Sequence, residues 1–152
     1  MRLKTYIVED NPTIRENLIA TLEELANVEF AGTTDNEDDA KVWLNDNQNV
    51  WHLAIVDLFL KQGSGLGVLH SCRERNPQQK VVVLSNYATS DIRKRCAQLG
   101  VDAVFDKSNE IDALLAYCLG QRADHIGAQG CATSPLARRS KPAGYWGQTP
   151  IT

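Results

Sequence analysis

The sequence predicts an α/β fold: a parallel β-sheet with helices on both faces. Three observations point there. Five short β-type runs alternate with helical patterns along the chain. Several of these runs are apolar throughout, as strands covered on both faces must be. With 152 residues the chain is long enough for one domain with a real core and too short for two ordinary ones.

The first strand is predicted at residues 3–8. Asn11-Pro12 then opens a helix, Asn11 as N-cap and Pro12 at the first helical position, with Ile14, Leu18, Leu22 and Leu25 on one face. A second strand follows at 28–33, and a second helix at 38–47 anchored by Val42 and Leu44. The third strand, 52–56, leads through "GSGLG" (63–67) into a helix over 65–75 that Asn76-Pro77 ends. GSGLG lacks the third glycine of GxGxxG and lies well beyond the end of the strand, so it reads as a flexible loop rather than a nucleotide cradle. The fourth strand is expected at 80–84 and its helix at 90–99, with Ile92, Cys96 and Leu99 inward and the basic cluster Arg93, Lys94 and Arg95 outward. A fifth strand at 101–105 precedes a helix at 110–119 that turns Ile111, Leu114, Leu115 and Cys118 toward the sheet, with Gly120 as its stop. Residues 1–120 thus form the domain, and 121–152 read as a flexible basic tail rich in Gly, Ala, Ser and Pro.

Composition narrows the function classes. The chain is 43% hydrophobic and 23% charged, ordinary for a soluble globular protein. No apolar run approaches the roughly 18 residues that would cross a bilayer, and the N-terminus turns acidic too early for a signal peptide, so a cytoplasmic protein without a membrane partner is expected. The net charge is −3, but the tail carries Arg122, Arg138, Arg139 and Lys141 against Asp124, leaving an acidic body that argues against a broad nucleic-acid surface. Cys72, Cys96, Cys118 and Cys131 are widely spaced, and the first three fall at apolar helix positions, which reads as packed, reduced thiols. His52, His70 and His125 are isolated, so a structural zinc site is not expected.

The chemistry gathers where strands end. In an open parallel sheet, ligands bind beyond the carboxyl ends of the strands. Glu9 and Asp10 follow the first strand, Asp57 the third, Ser85 the fourth and Lys107 the fifth. Taken singly, Asp10 could cap a helix, Ser85 could satisfy a strand end and Lys107 could sit in a solvated turn. Asp57, an acid at the end of an apolar run, has few structural duties. Three converging carboxylates resist ionising unless a cation shares them, and a hard divalent ion with oxygen ligands resolves the repulsion. Lys107 adds a positive charge and Ser85 a hydroxyl, a set suited to a transferring phosphoryl group, with Asp57 as nucleophile.

The motifs "YIVEDNP" (6–12), "AIVDLFLKQGSGLGVL" (54–69), "VVVLSN" (81–86) and "LGVDAVFDKS" (99–108) resemble, in order and spacing, the receiver domains of bacterial two-component response regulators. The resemblance is to a stand-alone, chemotaxis-regulator-like receiver. It implies a flavodoxin-like, doubly wound five-stranded sheet of strand order 2-1-3-4-5 with five helices. By position it makes Asp57 the phosphoacceptor, Glu9, Asp10 and Asp57 the magnesium-site acids, and Phe59 the donor of a backbone carbonyl to the metal. Ser85 matches the switch hydroxyl and Lys107 the phosphate-contacting lysine. The implied partners are a sensor histidine kinase or phosphotransfer protein, a downstream protein effector, and a second copy across the fourth helix, fifth strand and fifth helix. Such a domain is no enzyme toward outside substrates and catalyses only its own phosphorylation and dephosphorylation. The chain departs from the family where an aromatic switch residue often precedes the lysine by three positions, since Val104 stands there and Phe105 should face the other way. Ser108 replaces a common proline. Phe59 and Tyr87 flank the site and are expected to screen an acyl phosphate from water.

Three other readings stay open. The chain could be the receiver part of a DNA-binding regulator lacking its output domain. It could be a receiver-like module that is never phosphorylated, although its acid, hydroxyl and lysine set is intact. It could also be a magnesium-dependent phosphohydrolase with an aspartyl nucleophile, although such enzymes carry a general acid two residues after the nucleophile, where this chain has Phe59.

Overall fold

The computed structural model describes residues 2–130. Its elements run β1 (Leu3–Val8), α1 (Pro12–Leu25), β2 (Val28–Thr34), α2 (Glu37–Asp46), β3 (Leu53–Val56), α3 (Gly65–Ser71), β4 (Lys80–Ser85), α4 (Ser90–Gln98), β5 (Ala103–Asp106) and α5 (Ile111–Gly130). The five strands form one parallel sheet in the order β2-β1-β3-β4-β5, the flavodoxin-like topology expected. Residue 131 onward, including Cys131 and most of the predicted tail, lies outside the described residues.

Alternation along the strands divides the core in two. Val8, Ala54, Val56, Val81, Val83 and Val104 pack with Ala40, Leu44, Val68, Leu69, Cys72 and Cys96 of the helices on one face. Ile7, Leu53, Ile55, Val82, Leu84 and Phe105 pack with Leu18, Leu22, Leu114 and Cys118 of α1 and α5 on the other. Val104 and Phe105 therefore face opposite ways, as the alternation required. Cys72, Cys96 and Cys118 are buried free thiols, and burial raises the pKa of each, to about 11 for Cys72 and about 12 for Cys118.

Several expectations need correction. Leu25 is 59% exposed; continuing the i, i+4 row from Leu22 brings Ala26, the C-cap, to the buried place. Val42 is likewise exposed, and α2 is anchored by Ala40, Leu44 and Trp43, whose indole stacks on Tyr6 with ring centroids 4.0 Å apart. The third helix ends at Ser71, where the Cys72 N–H turns back to Leu69 and His70 carbonyls, well short of Arg75. Arg75 instead becomes a clasp, donating to the carbonyls of Cys72, Gln79 and Gly100 and pairing with Asp102. Gly120 does not stop α5, which continues to Gly130; a glycine weakens a helix interior by about 1 kcal/mol, which does not by itself end it.

The first helix opens as predicted. Asn11 Oδ1 accepts the N–H groups of Thr13 and Ile14, and Pro12 occupies the first turn. That cap matters to function because it fixes the chain immediately after Glu9 and Asp10.

Candidate functional site

The carboxyl ends of the strands are held by backbone bonds that continue the parallel ladders past their last paired residues. Glu9 N–H donates to the Thr34 carbonyl, Asp57 N–H to Val8 and Lys107 N–H to Ser85, each at 3.0 Å. Four segments distant in sequence are thereby brought level at one edge of the sheet. Glu9, Asp57 and Ser85 arrive there almost completely buried, at 2%, 6% and 0% exposure. The acids Glu9, Asp10 and Asp57 each direct an oxygen to a common point, these oxygens lying within 4.8 Å of one another.

Lys107 enters the acid cluster. Its Nζ lies 2.7 Å from Glu9 Oε1 and 3.0 Å from Asp57 Oδ2, and its side chain is only 9% exposed. Burial alone would lower the lysine pKa, but the hydrogen bond to Glu9 and the charge and hydrogen bond of Asp57 outweigh it, so the ammonium stays charged. For Asp57 the balance falls the other way. Burial, reinforced by the Glu9 charge, pushes its carboxyl up to about 6 against the pull of Lys107 and of the Phe59 N–H. One lysine thus only partly compensates two buried acids, and the site retains a deficit of positive charge. An all-oxygen set of this kind suits a hard divalent cation.

The remaining predicted residues fall around this cluster. Asp10, half-buried, accepts the Lys61 N–H at 2.6 Å, linking the end of β1 to the loop after β3. Phe59 N–H donates to Asp57 Oδ1 at 3.2 Å while its ring turns outward, 53% exposed. Ser85 Oγ accepts the Tyr87 N–H at 3.0 Å. The Phe59 and Tyr87 rings meet edge to face at 5.3 Å. Val104 is buried under α4. Ser108 is exposed and uses its N–H on Asp106 Oδ1, closing the turn after Lys107.

Two groups escaped the sequence reading. Glu37, in the first turn of α2, crosses to the GSGLG loop: its Oε1 accepts the Ser64 N–H at 2.8 Å, its N–H donates to the Gln62 carbonyl, and Lys41 pairs with its other oxygen. The hydrogen bonds with Lys41 and Ser64 hold its carboxyl below the usual range. The glycines of the loop follow from this contact. Gly63 has φ +88°, a Cβ on Gly67 would strike the Glu37 carboxylate, and one on Gly65 would strike the Asp57 carbonyl. The loop is therefore tied, contrary to the flexible segment expected. The only sequence signal was the acidic run after Asn36 paired with unexplained glycines.

Arg93 is the second. Expected on the outer face of α4, it reaches inward to the carbonyls of Ala88 and Val104 and pairs with Glu110 at 2.8 Å, fastening α4 to the end of β5. Nothing in a run of three basic residues distinguishes the one that turns in.

The family model for "Response regulator receiver domain" matches residues 5–118. This chain belongs to that family. Such receivers are signalling domains that work with histidine kinases and effectors and bind magnesium at an acidic pocket, and the Glu9, Asp10 and Asp57 cluster is an acidic pocket of that description. Among curated proteins it is 28% identical over 127 residues to a cyclic di-GMP phosphodiesterase of Thermotoga maritima, covering 82% of this chain and 33% of that protein. It is also 36% identical over 67 residues to the photosynthetic apparatus regulatory protein RegA of Rhodobacter capsulatus, covering 41% of this chain and 36% of that one. The chain thus spans about a third of the length of these relatives. Its fold is shared with a LuxR-family DNA-binding response regulator from Staphylococcus aureus, at a TM-score of 0.66, 22% identity, and coverage of 75% of this chain and 93% of that one. It is shared equally with the receiver domain of the NarL response regulator from Mycobacterium tuberculosis, at 0.65, 18%, 85% and 98%. The receiver's described residues contain no helix long and apolar enough to cross a membrane.

Proposed function

We propose that this receiver is a phosphorylation-dependent switch whose phosphoacceptor is Asp57, loaded by a phosphohistidine on a sensor kinase or phosphotransfer protein. The observation that carries the reading is the buried Asp57 carboxylate set between two further acids and Lys107 at the carboxyl edge of the sheet. In the transfer, an Asp57 oxygen forms a bond to phosphorus as the phosphorus–nitrogen bond to the donor histidine breaks. The reacting atoms need positioning and charge neutralisation more than covalent help. Lys107 can leave Glu9 to meet the incoming phosphoryl oxygens, and Ser85 has a hydroxyl to donate to one of them.

Glu9, Asp10 and Asp57, with the Phe59 carbonyl, are the residues we assign to a magnesium ion. Bound there, the ion supplies positive charge against the three acids and the phosphoryl oxygens. The Phe59 and Tyr87 pair beside the site screens the acyl phosphate from water. The buried, reduced thiols fit a reducing compartment, and the cytoplasm is the location we propose. Two residues after Asp57, where an aspartyl-nucleophile hydrolase carries its general acid, this chain has Phe59, so turnover of outside esters is not part of this reading.

The test is incubation with magnesium and acetyl phosphate, followed by intact-protein mass. Wild type should gain one phosphoryl group and Asp57→Asn none. An equal adduct on both would remove Asp57 from the assignment, and steady phosphate release from diverse esters would favour a hydrolase.

A further inference from the structure

Among the described residues, Phe59 and Tyr87 stand out as large aromatics left more than half exposed, at 53% and 62%. Both are tied by main chain to the site. The Phe59 N–H is held by the Asp57 carboxylate and the Tyr87 N–H by the Ser85 hydroxyl. The two side chains that a phosphoryl group would engage therefore each hold the backbone of one aromatic, so a change at either side chain acts directly on the support of its aromatic.

Behind Phe59 lies a groove of about 380 Å³ between the loop after β3, the start of α3, and α4. Leu58, Leu60, Leu66 and Ile92 line it. Its rim is cationic. Lys61 and Arg95 border it, both exposed, and neither forms an ion pair among the described residues. Lys94, beside Arg95, is exposed and unpaired in the same way. These charges stand out on a body in which residues 1–120 carry 12 Lys and Arg against 18 Asp and Glu. An apolar trough with exposed aromatics at one end and free cations along its edge is the complement of an acidic segment with apolar anchors. The basic cluster of α4 is thus divided in use: Arg93 is consumed inside the fold, and Arg95 faces the groove.

We propose that this groove docks a short acidic segment of a partner protein, anchored by aliphatic or aromatic side chains between α3 and α4 and held by Lys61 and Arg95. Phosphorylation changes its affinity through Phe59 and Tyr87, a part of the proposal that rests on the Asp57 reading.

A display library of random 16-residue peptides selected on the full chain tests it, with the selected peptides mapped by amide shifts in NMR spectra. Enriched sequences should combine Asp or Glu with spaced large apolar residues and shift the amides of Leu60, Lys61, Leu66, Ile92 and Arg95. They should lose at least tenfold in affinity to the Lys61→Glu/Arg95→Glu variant, whose amide spectrum shows whether it is folded. Their affinity for wild type should change at least threefold with magnesium and beryllium fluoride, and not for Asp57→Asn. No enrichment, shifts confined to the α4, β5 and α5 face, or undiminished binding to the charge-reversed variant would each overturn the groove. Groove shifts that arise on concentrating the chain alone, with dimers in sedimentation, would assign it to a second copy and overturn the partner. Peptide affinity indifferent to beryllium fluoride, in a chain whose intact mass shows phosphorylation, would overturn the coupling alone.

Discussion

Lys107 is asked to satisfy two buried carboxylates at once, and the energetics of that demand are open to measurement. Removing one member of a buried ion pair leaves the others uncompensated, at a cost of roughly 3–5 kcal/mol. Lys107→Met should therefore lower unfolding free energy by about 3–5 kcal/mol at pH 7.5, read from urea denaturation in EDTA. At pH 5 the loss should be smaller, because the freed acids can take up a proton instead of remaining charged; an equal loss at both values would contradict the pairing. Asp57 gives a second handle. Its carboxyl is raised from 3.8 to about 6 in the fold, so the native state binds the proton more tightly than the unfolded chain does. The stability this contributes is complete below about pH 4 and is lost as pH rises through about 6. Asp57→Asn cannot ionise and escapes that loss. In EDTA it should gain on wild type by about 1–3 kcal/mol between pH 4 and 7, and a gap that narrows over this range would refute the sign. At the mouth of the same pocket, Phe59 and Tyr87 should slow hydrolysis of the acyl phosphate to minutes or longer. Phe59→Ala should shorten the half-life several-fold, whereas a wild-type half-life of seconds would rule out screening.

Elements acquire their functional positions through a few crossing contacts rather than through their own propensities. The loop after β3 is the clearest case, since Glu37 of α2 holds it and Gly65 lets it pass against the Asp57 carbonyl. Gly65→Ala meets backbone that cannot yield, so it should destabilise by about 2–4 kcal/mol and slow phosphorylation. Gly100 has φ +86° but open space around it, so Gly100→Ala should cost only about 1 kcal/mol and leave phosphorylation unchanged. Equal effects of the two substitutions, in urea denaturation and in acetyl phosphate labelling, would deny the close approach. On the opposite side, Arg93 binds α4 to Val104 and Glu110. This fastening adds to the packing of Ile92 and Cys96 in holding α4 against β5.

The whole molecule shows which information is local. Strands β3 and β4 announce themselves as apolar runs, and Glu9, Asp10, Asp57, Ser85 and Lys107 could be read because each stands at or just past the carboxyl end of a strand. The sheet order and the common edge then follow from parallel topology. What could not be read depends on distant partners. Leu25 and Val42 are apolar residues at helix positions left exposed among the described residues. The third helix stops at Ser71 because the chain there turns back on itself, and Gly120 lies within a helix that carries on through it. Glu37 and Arg93 resemble any surface charge until the loops they hold are placed beside them. Charge is legible only as a sum: the acidic body was visible, whereas the cationic rim formed by Lys61 and Arg95 required α4 and the loop after β3 to meet. On the Asp57 reading, this fold delivers a phosphoryl group to one buried carboxylate. Borohydride reduction of the chain after acetyl phosphate treatment, with peptide mass spectrometry, locates the acyl phosphate directly. The modified residue should be 57 alone, in the presence of magnesium and not in EDTA; label at another acid, or none at 57, would contradict the account.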